Sequence, residues 1–238
     1  MSFAIQPCSP ADAPGLAATM MGARLTDPHW VFLWKDPCPQ DIIARASERL
    51  PWNLISGRDT KRHQKVINVE TGKVVGYARW SLPPDLAKAG NVWLEAQVAE
   101  PSRVDLEIYE KNFKANTDNG RLIGLKTGAM IGFRSAPLEA ADARIMRDGP
   151  FLMMDYLTTD PAFWRRGIAS MLVQSGLKVA DRYGIKTYAM SEPAGLKVYL
   201  NHGFKLVETV STDYSKYGGT EPLVEYFLVR EPVSLQPR

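Results

Sequence analysis

Residues Leu157 to Ser170, read L-T-T-D-P-A-F-W-R-R-G-I-A-S, constrain this chain more than any other stretch. An apolar, strand-like run ends in a proline turn, and a basic, glycine-containing loop then opens a helix. Gly167 has no Cβ and lets backbone approach an anion closely. The first amides of the following helix lack intrahelical partners and carry the positive end of the helix dipole. Arg165 and Arg166 add donors matched to phosphate oxygens. The loop therefore suits a pyrophosphate. A basic pair before a helix also reads as a solvated cap, so the downstream sequence has to argue for the anion site.

Downstream, a helix is expected from Arg166 to Tyr183, with Ile168, Met171, Leu172 and Val179 at helical offsets and Gly184 as its stop. A short strand follows from Ile185 to Met190. The run S-E-P-A-G-L-K-V-Y-L-N-H-G-F-K-L then reads as a turn, a short helix, a glycine stop and another strand.

This order of elements, with R-R-G-I-A before the long helix and Y-L-N-H-G-F at the end of the short one, resembles the C-terminal half of the GNAT superfamily of acetyl-CoA-dependent N-acetyltransferases. The resemblance covers roughly Phe151 to Val210. The strings D-Y-L-T-T-D-P and S-E-P-A-G-L-K-V-Y-L-N-H-G-F look similar to a fungal small-molecule branch. The family's phosphate loop reads Gln or Arg, two variable residues, Gly, one variable residue, then Gly or Ala. Gly167 and Ala169 fit that pattern, and Trp164 departs from it at the first position. The resemblance implies an α/β (α+β) fold: a mixed, mostly antiparallel central sheet flanked by helices. It implies acetyl-CoA as co-substrate, held by backbone of Leu157, Thr158 and Thr159 and by Arg165, Arg166, Gly167, Ile168, Ala169 and Ser170.

The rest of the chain is compatible with one domain over residues 1–238. With 45% hydrophobic and 23% charged residues it can bury one sizeable core. Its net charge of +3 comes from 29 Lys and Arg scattered among 26 Asp and Glu, which gives no reason to expect nucleic acid as a partner. Cys8 and Cys38 lack C-x-x-C spacing, no signal-peptide run stands beside them, and no apolar stretch reaches transmembrane length. A cytoplasmic location without membrane attachment is the default expectation.

Ser9-Pro10-Ala11-Asp12 is expected to cap a helix through about Met21, and Gln40 to Leu50 is a second, amphipathic helix. Lys65–Val69 and Lys73–Leu82 read as strands of a hairpin turned at Thr71-Gly72. Between the third and fourth strands the family's sheet is interrupted here by an insertion, about residues 83–150. It contains helical pieces, Val104 to Lys114 and Leu138 to Met146, around the glycine-rich run Gly120 to Gly132. The string G-R-L-I-G-L-K-T-G lacks phosphate-loop spacing, which removes a nucleotide triphosphatase reading. The insertion is either a lid or wall over the acceptor site or surface elaboration.

Direct transfer to an amine requires cofactor placement, a general acid and a proton acceptor. The resemblance carries the acid to Tyr199, from the family's Y-x-x-x-G-F pattern; the same tyrosine also reads as core filler. For the base, Asp155 stands in the apolar run F-L-M-M-D-Y-L, on the face of Met153 and Leu157 by alternation, where burial would raise its pKa; a structural carboxylate fits equally. Glu192 is the other choice, with a helix-capping role beside it, and a water chain is a third. His29, His63 and His202 have no metal-ligand spacing, and no metal is expected. Asp27 to Trp34, Trp80 or its strand neighbours, and Thr212 to Gly219 are the segments for an acceptor pocket, with His29, Trp30, Trp34, Tyr214 and Tyr217 serving it or core packing.

The reading is an N-acetyltransferase acting on the primary amine of a small molecule. Acetylation of a protein lysine or N-terminus, and a non-catalytic acyl-CoA-binding module, are the alternatives. The acceptor's identity and the oligomeric state are left open.

Overall fold

The computed structural model describes residues 1–126 and 128–233. Thr127, inside the glycine-rich run, lies outside them. Phe3–Pro7 (β1) pairs antiparallel with Lys61–Asn68 (β2), a strand the sequence does not announce because it is short and lies at the terminus. Between them come Ala13–Arg24 (α1), the single turn Pro28–Val31 (α2) and Pro39–Ile55 (α3). Both long helices run further than the sequence reading, α1 past Met21 to Arg24 and α3 through Pro51 to Ile55. The N-terminal capping box forms: the Ser9 amide donates to the Asp12 carboxylate at 2.8 Å.

Val74–Ser81 (β3) closes the hairpin with β2, with Gly72 at φ +69° supplying the turn that an L-residue would strain to adopt. The insertion then adds Pro84–Lys88 (α4), Arg103–Ala115 (α5), a small hairpin of Thr117–Asp118 (β4) and Arg121–Leu122 (β5), and Gly128–Ile145 (α6). The sequence reading starts the last helix at Leu138; it starts at Gly128 and continues through Gly132 and Pro137. Phe151–Thr159 (β6), Ile168–Tyr183 (α7), Lys186–Ser191 (β7), Pro193–Asn201 (α8), Lys205–Thr212 (β8) and Leu223–Arg230 (β9) complete the chain. Gly184, at φ +63°, ends α7 as expected.

The seven long strands form one sheet in the order β1-β2-β3-β6-β7-β9-β8, antiparallel except for β6 beside β7. On one face α7 and α8 cover Val75, Ala78, Trp80, Leu152 and Met154. On the other, α1 and α3 cover Val74 and Tyr77, while α6 covers Phe151, Tyr188 and Phe227. No helix among the described residues is long and apolar enough to cross a membrane.

Trp80 is fully buried beneath α7, in the core on the opposite face from Tyr77. Its expected place in an acceptor pocket is thereby corrected. Its indole is the reason residue 176 is glycine: a Cβ there would lie 2.2 Å from Trp80 Cζ2. Helix propensity favours alanine over glycine by about 1 kcal/mol. Overlap of this depth with a closely packed ring costs about 3 kcal/mol. Gly176→Ala is therefore expected to lose about 2 kcal/mol of stability by these two terms. A variant at least as stable in chemical denaturation would show that α7 does not sit this close.

Candidate active site

β6 and β7 pair in parallel only from Phe151↔Lys186 to Met154↔Ala189. Beyond Met154, β6 continues to Thr159 bonded to β3 alone, while β7 turns away to pair Met190 and Ser191 with Phe227 and Tyr226 of β9. The two strands splay, so the β6 backbone edge from Asp155 to Thr159 that faces β7 has no strand partner. Unpaired strand amides of this kind are free to hold a ligand's polar atoms. Thr159 also keeps a buried hydroxyl with no partner among the described residues.

At the end of β6 the chain enters the arginine loop. The Trp164 indole, at the position where the family's loop has Gln or Arg, donates to the Thr159 carbonyl at 2.8 Å and ties the loop to the strand end. Arg165 (φ +61°) and Gly167 (φ +81°) are both left-handed, a conformation that costs Arg165 roughly 1–2 kcal/mol. The first helical bond of α7 runs from the Met171 amide to the Gly167 carbonyl. The amides of Ile168, Ala169 and Ser170 precede it and have no partner within the helix. Arg165 and Arg166 are exposed, and a Cβ built on Gly167 would meet open space. The arginine loop and the splayed strand thus adjoin, and together they present free backbone donors and two exposed guanidinium groups.

Aspartate is among the residues that tolerate left-handed backbone, so Gly167→Asp is expected to fold while placing a negative charge before α7. Coenzyme A affinity should fall at least about tenfold, about 1.4 kcal/mol. Calorimetry returning an unchanged affinity would remove the loop from the cofactor site.

A cavity of about 350 Å³ opens on the face of the sheet opposite α7. Tyr156, on the splayed part of β6, is in its wall together with Trp30, Asn53, Leu122 and four arginines, Arg24, Arg49, Arg79 and Arg134. The insertion contributes Leu122 and Arg134. It is pinned in place by bonds from the Lys35 amide to the Gly124 carbonyl (2.9 Å) and from the Lys126 amide to the Leu33 carbonyl (2.8 Å), and by the bridge of Trp34 to Leu125. Of the aromatic residues expected at an acceptor pocket, Trp30 reaches the cavity. Tyr214 is hydrogen-bonded to His29 and packs against Phe32. Tyr217 packs on Phe133.

Asp155 is not the buried carboxylate its apolar neighbours suggest. It occupies a β-bulge, with Arg79 opposite Tyr156 and Trp80 opposite Met154. The bulge breaks the alternation, so Leu157 packs in the core beneath α7 rather than on the face of Met153. Asp155 is exposed and holds Arg79 through two bonds, Nε to Oδ2 at 2.6 Å and Nη2 to Oδ1 at 3.0 Å, with Ser81 Oγ at 3.4 Å. Glu192 stands at the N-cap of α8 without capping it; its side chain pairs with Arg24 of α1 across the mouth of the splay. Both carboxylates are committed to arginines.

The titratable group that sequence reasoning missed is Glu225. It lies on β9 one residue before the Tyr226↔Ser191 pair, hence beside the end of β7. It is only 3% exposed, and Arg134, its salt-bridge partner, is 3.9 Å away. Burial, reinforced by the neighbouring Glu192 and opposed by Arg134 and Arg24, pushes its carboxyl up to about 7. Tyr199 sits on α8 in the core of the opposite sheet face, which α7 and α8 cover, its ring edge-on to Phe204 at 5.3 Å. Its hydroxyl has no hydrogen-bond partner among the described residues, and burial, with Glu192 nearby, raises its pKa.

Comparison with known proteins follows this geometry. Residues 92–204 match the Acetyltransferase (GNAT) family. Solved structures share the fold over the length of the chain. A Corynebacterium glutamicum protein described as histone acetyltransferase HPA2 and related acetyltransferase has a TM-score of 0.57 at 15% identity, covering 100% of this chain and 99% of that one. The Drosophila melanogaster polyamine N-acetyltransferase, which forms N-acetylagmatine, gives 0.54 at 13%, with 97% and 100% covered. The C-terminal condensation domain of Ebony, in complex with beta-alanyl-dopamine, gives 0.59 at 14%, with 97% and 99% covered. None of these supports the likeness to a fungal branch, and no curated protein matches the sequence.

Proposed function

We propose, from the chain's place in the GNAT acetyltransferase superfamily, that this N-acetyltransferase acetylates the primary amine of a small molecule by direct attack in a ternary complex. The observation that carries the reading is the cavity of about 350 Å³ that meets the β6–β7 splay at Tyr156. Acetyl-CoA supplies the activated acetyl group as a thioester. The amides of Ile168, Ala169 and Ser170, with Arg165 and Arg166, hold its pyrophosphate, and the β7-facing backbone edge along Leu157, Thr158 and Thr159 holds the arm leading to the thioester. A strand amide on that free edge is placed to receive the negative charge that develops on the acetyl oxygen.

Glu225 is the base in this reading. A carboxyl poised near neutrality is half-ionised at physiological pH and accepts a proton from the incoming ammonium as the amine attacks. Asp155 and Glu192 keep supporting roles: Asp155 orients Arg79, and Glu192 orients Arg24 and raises Glu225. Tyr199 donates toward the departing thiolate. The insertion acts as the cavity wall through Leu122 and Arg134, and the chain works as one domain. A small acceptor suits a cavity of about 350 Å³ that the insertion helps to wall through Leu122 and Arg134.

Thiol release from acetyl-CoA, followed across small amines and lysine-containing peptides, tests the proposal. Turnover with peptides alone would favour the protein-directed reading. Tight coenzyme A binding with no turnover on any amine would favour a binding module.

A further inference from the structure

The cavity's charge is out of balance. Among the described residues, arginines are the only charged groups in its wall, four of them and no carboxylate. Two are neutralised by partners outside it, Arg24 by Glu192 and Arg79 by Asp155. Arg134 reaches Glu225 at only 3.9 Å and keeps a buried Nε with no hydrogen-bond partner. Arg49 is 7% exposed and has neither an ion pair nor a hydrogen bond among the described residues. The other buried arginines show what the fold does when a guanidinium is structural. Arg62 donates to the carbonyls of Val92, Arg58, Asp59 and Lys61. Arg230 is held by Asp181 and the His202 carbonyl.

Burial without a counter-charge pulls Arg49 down only to about 10, so the guanidinium remains charged at neutral pH. The Arg49 nitrogens are not among the side-chain atoms sealed from solvent, so they open onto the cavity as unpaired, charged donors that a ligand's anion would complete.

Building on the acetyltransferase reading, we infer that the acceptor is an amine that also carries a carboxylate, an amino-acid-like zwitterion whose carboxylate is paired by Arg49 in the cavity. A planar guanidinium matches a carboxylate through two parallel hydrogen bonds. The ammonium end then lies toward Glu225 and the splay, so the two charges of the acceptor meet opposite charges at the two ends of the site. Trp30, Met20 and Met21 give the body between them an apolar wall. About 350 Å³ is at the small end of small-molecule sites and suits a molecule of amino-acid size. A polycationic acceptor would instead bring like charge to an arginine-lined wall.

The test uses the full chain and matched compounds differing only at the anion: phenylalanine, its amide, phenethylamine and the phosphonic acid analogue of phenylalanine. The carboxylate should exceed the amide and phenethylamine by about 100-fold or more in kcat/KM, because an acceptor without it leaves buried donors unpaired. Exceeding the phosphonate as well identifies a carboxylate; a phosphonate preference would overturn that choice of anion. Arg49→Gln should reduce the preference to less than about tenfold, mainly through KM, while Arg49→Lys should restore part of it. N-acetylphenylalanine and N-acetylphenethylamine, titrated calorimetrically, read the same preference without turnover. Binding of the acid without acetyl transfer would support the carboxylate site and sink the transferase reading. Transfer with equal efficiency to phenylalanine and phenethylamine, or a preference untouched by Arg49→Gln, would overturn the inference and leave the transferase standing.

Discussion

Replacing Glu225 with glutamine is expected to lower kcat/KM by about 10²–10⁴-fold, the usual range for a general acid or base, while raising stability at neutral pH. The two effects have one cause. In the folded protein the carboxyl is pushed up to about 7, against roughly 4.3 in an unfolded chain. Between those values the native state binds more protons than the unfolded state, so the favourable contribution of protonated Glu225 is lost as pH rises from about 4.3 to about 7. Glutamine keeps the shape and has no charge to bury. The variant should therefore gain stability relative to the native protein through that pH window. Its kcat/KM should also lose the ascending limb near pH 7 that the ionising base produces. Asp155→Asn is the control: it frees Arg79 from its bidentate partner and should cost stability while leaving that limb in place. A Glu225→Gln variant with normal turnover, or one whose ascending limb persists, would return the proton acceptor to Asp155, Glu192 or water.

Which parts of this site can be read in the sequence depends on how local their causes are. The order β6, loop, α7, β7, α8 is written in short-range signals: apolar periodicity along Ile168 to Val179, left-handed glycines at Gly167 and Gly184, and prolines at Pro161 and Pro193. The phosphate loop belongs to that class, since its donors come from consecutive residues. Asp155 does not. Its apolar flanks suggest burial, but its environment is set by Arg79, 76 residues away, and by a bulge that no local pattern announces. Glu225 carries the same surface signal as Asp155, one acid in an apolar strand, L-V-E-Y-F-L-V-R. What makes it different is its place beside the end of β7 and near Glu192, a consequence of sheet order. Arg49 reads as part of the polar face of an amphipathic helix until Leu122 and Arg134 of the insertion complete the cavity around it. The helix that carries Arg134 was itself masked by Gly128, Gly132 and Pro137, residues whose local preference is against helix and which tertiary contacts with β8 and β9 override.

Tyr199→Phe should lower turnover about 100-fold and leave both the melting temperature and coenzyme A affinity close to the native values. The structural part follows from the packing. The phenyl ring keeps its edge-on contact with Phe204 at 5.3 Å, and the deleted hydroxyl has no hydrogen-bond partner among the described residues to leave stranded. A tyrosine serving as core filler would use its ring alone, and phenylalanine would be its better replacement. The chemical part follows from the proton. Burial holds it on the phenol more firmly than the ordinary value of roughly 10, so complete transfer to a thiolate whose conjugate acid lies near roughly 8.5 runs uphill. In the proposed mechanism the hydroxyl acts as a hydrogen-bond donor to the leaving sulfur rather than a full proton donor, which places the expected loss at the lower end of the acid–base range, about 10²-fold. The same upward shift keeps Tyr199 protonated through the assay range, so no loss of activity near pH 10 should arise from its ionisation. Single-turnover rates and thermal unfolding, measured on one folded preparation, separate the roles: native turnover with unchanged stability would leave the hydroxyl with no part in the reaction.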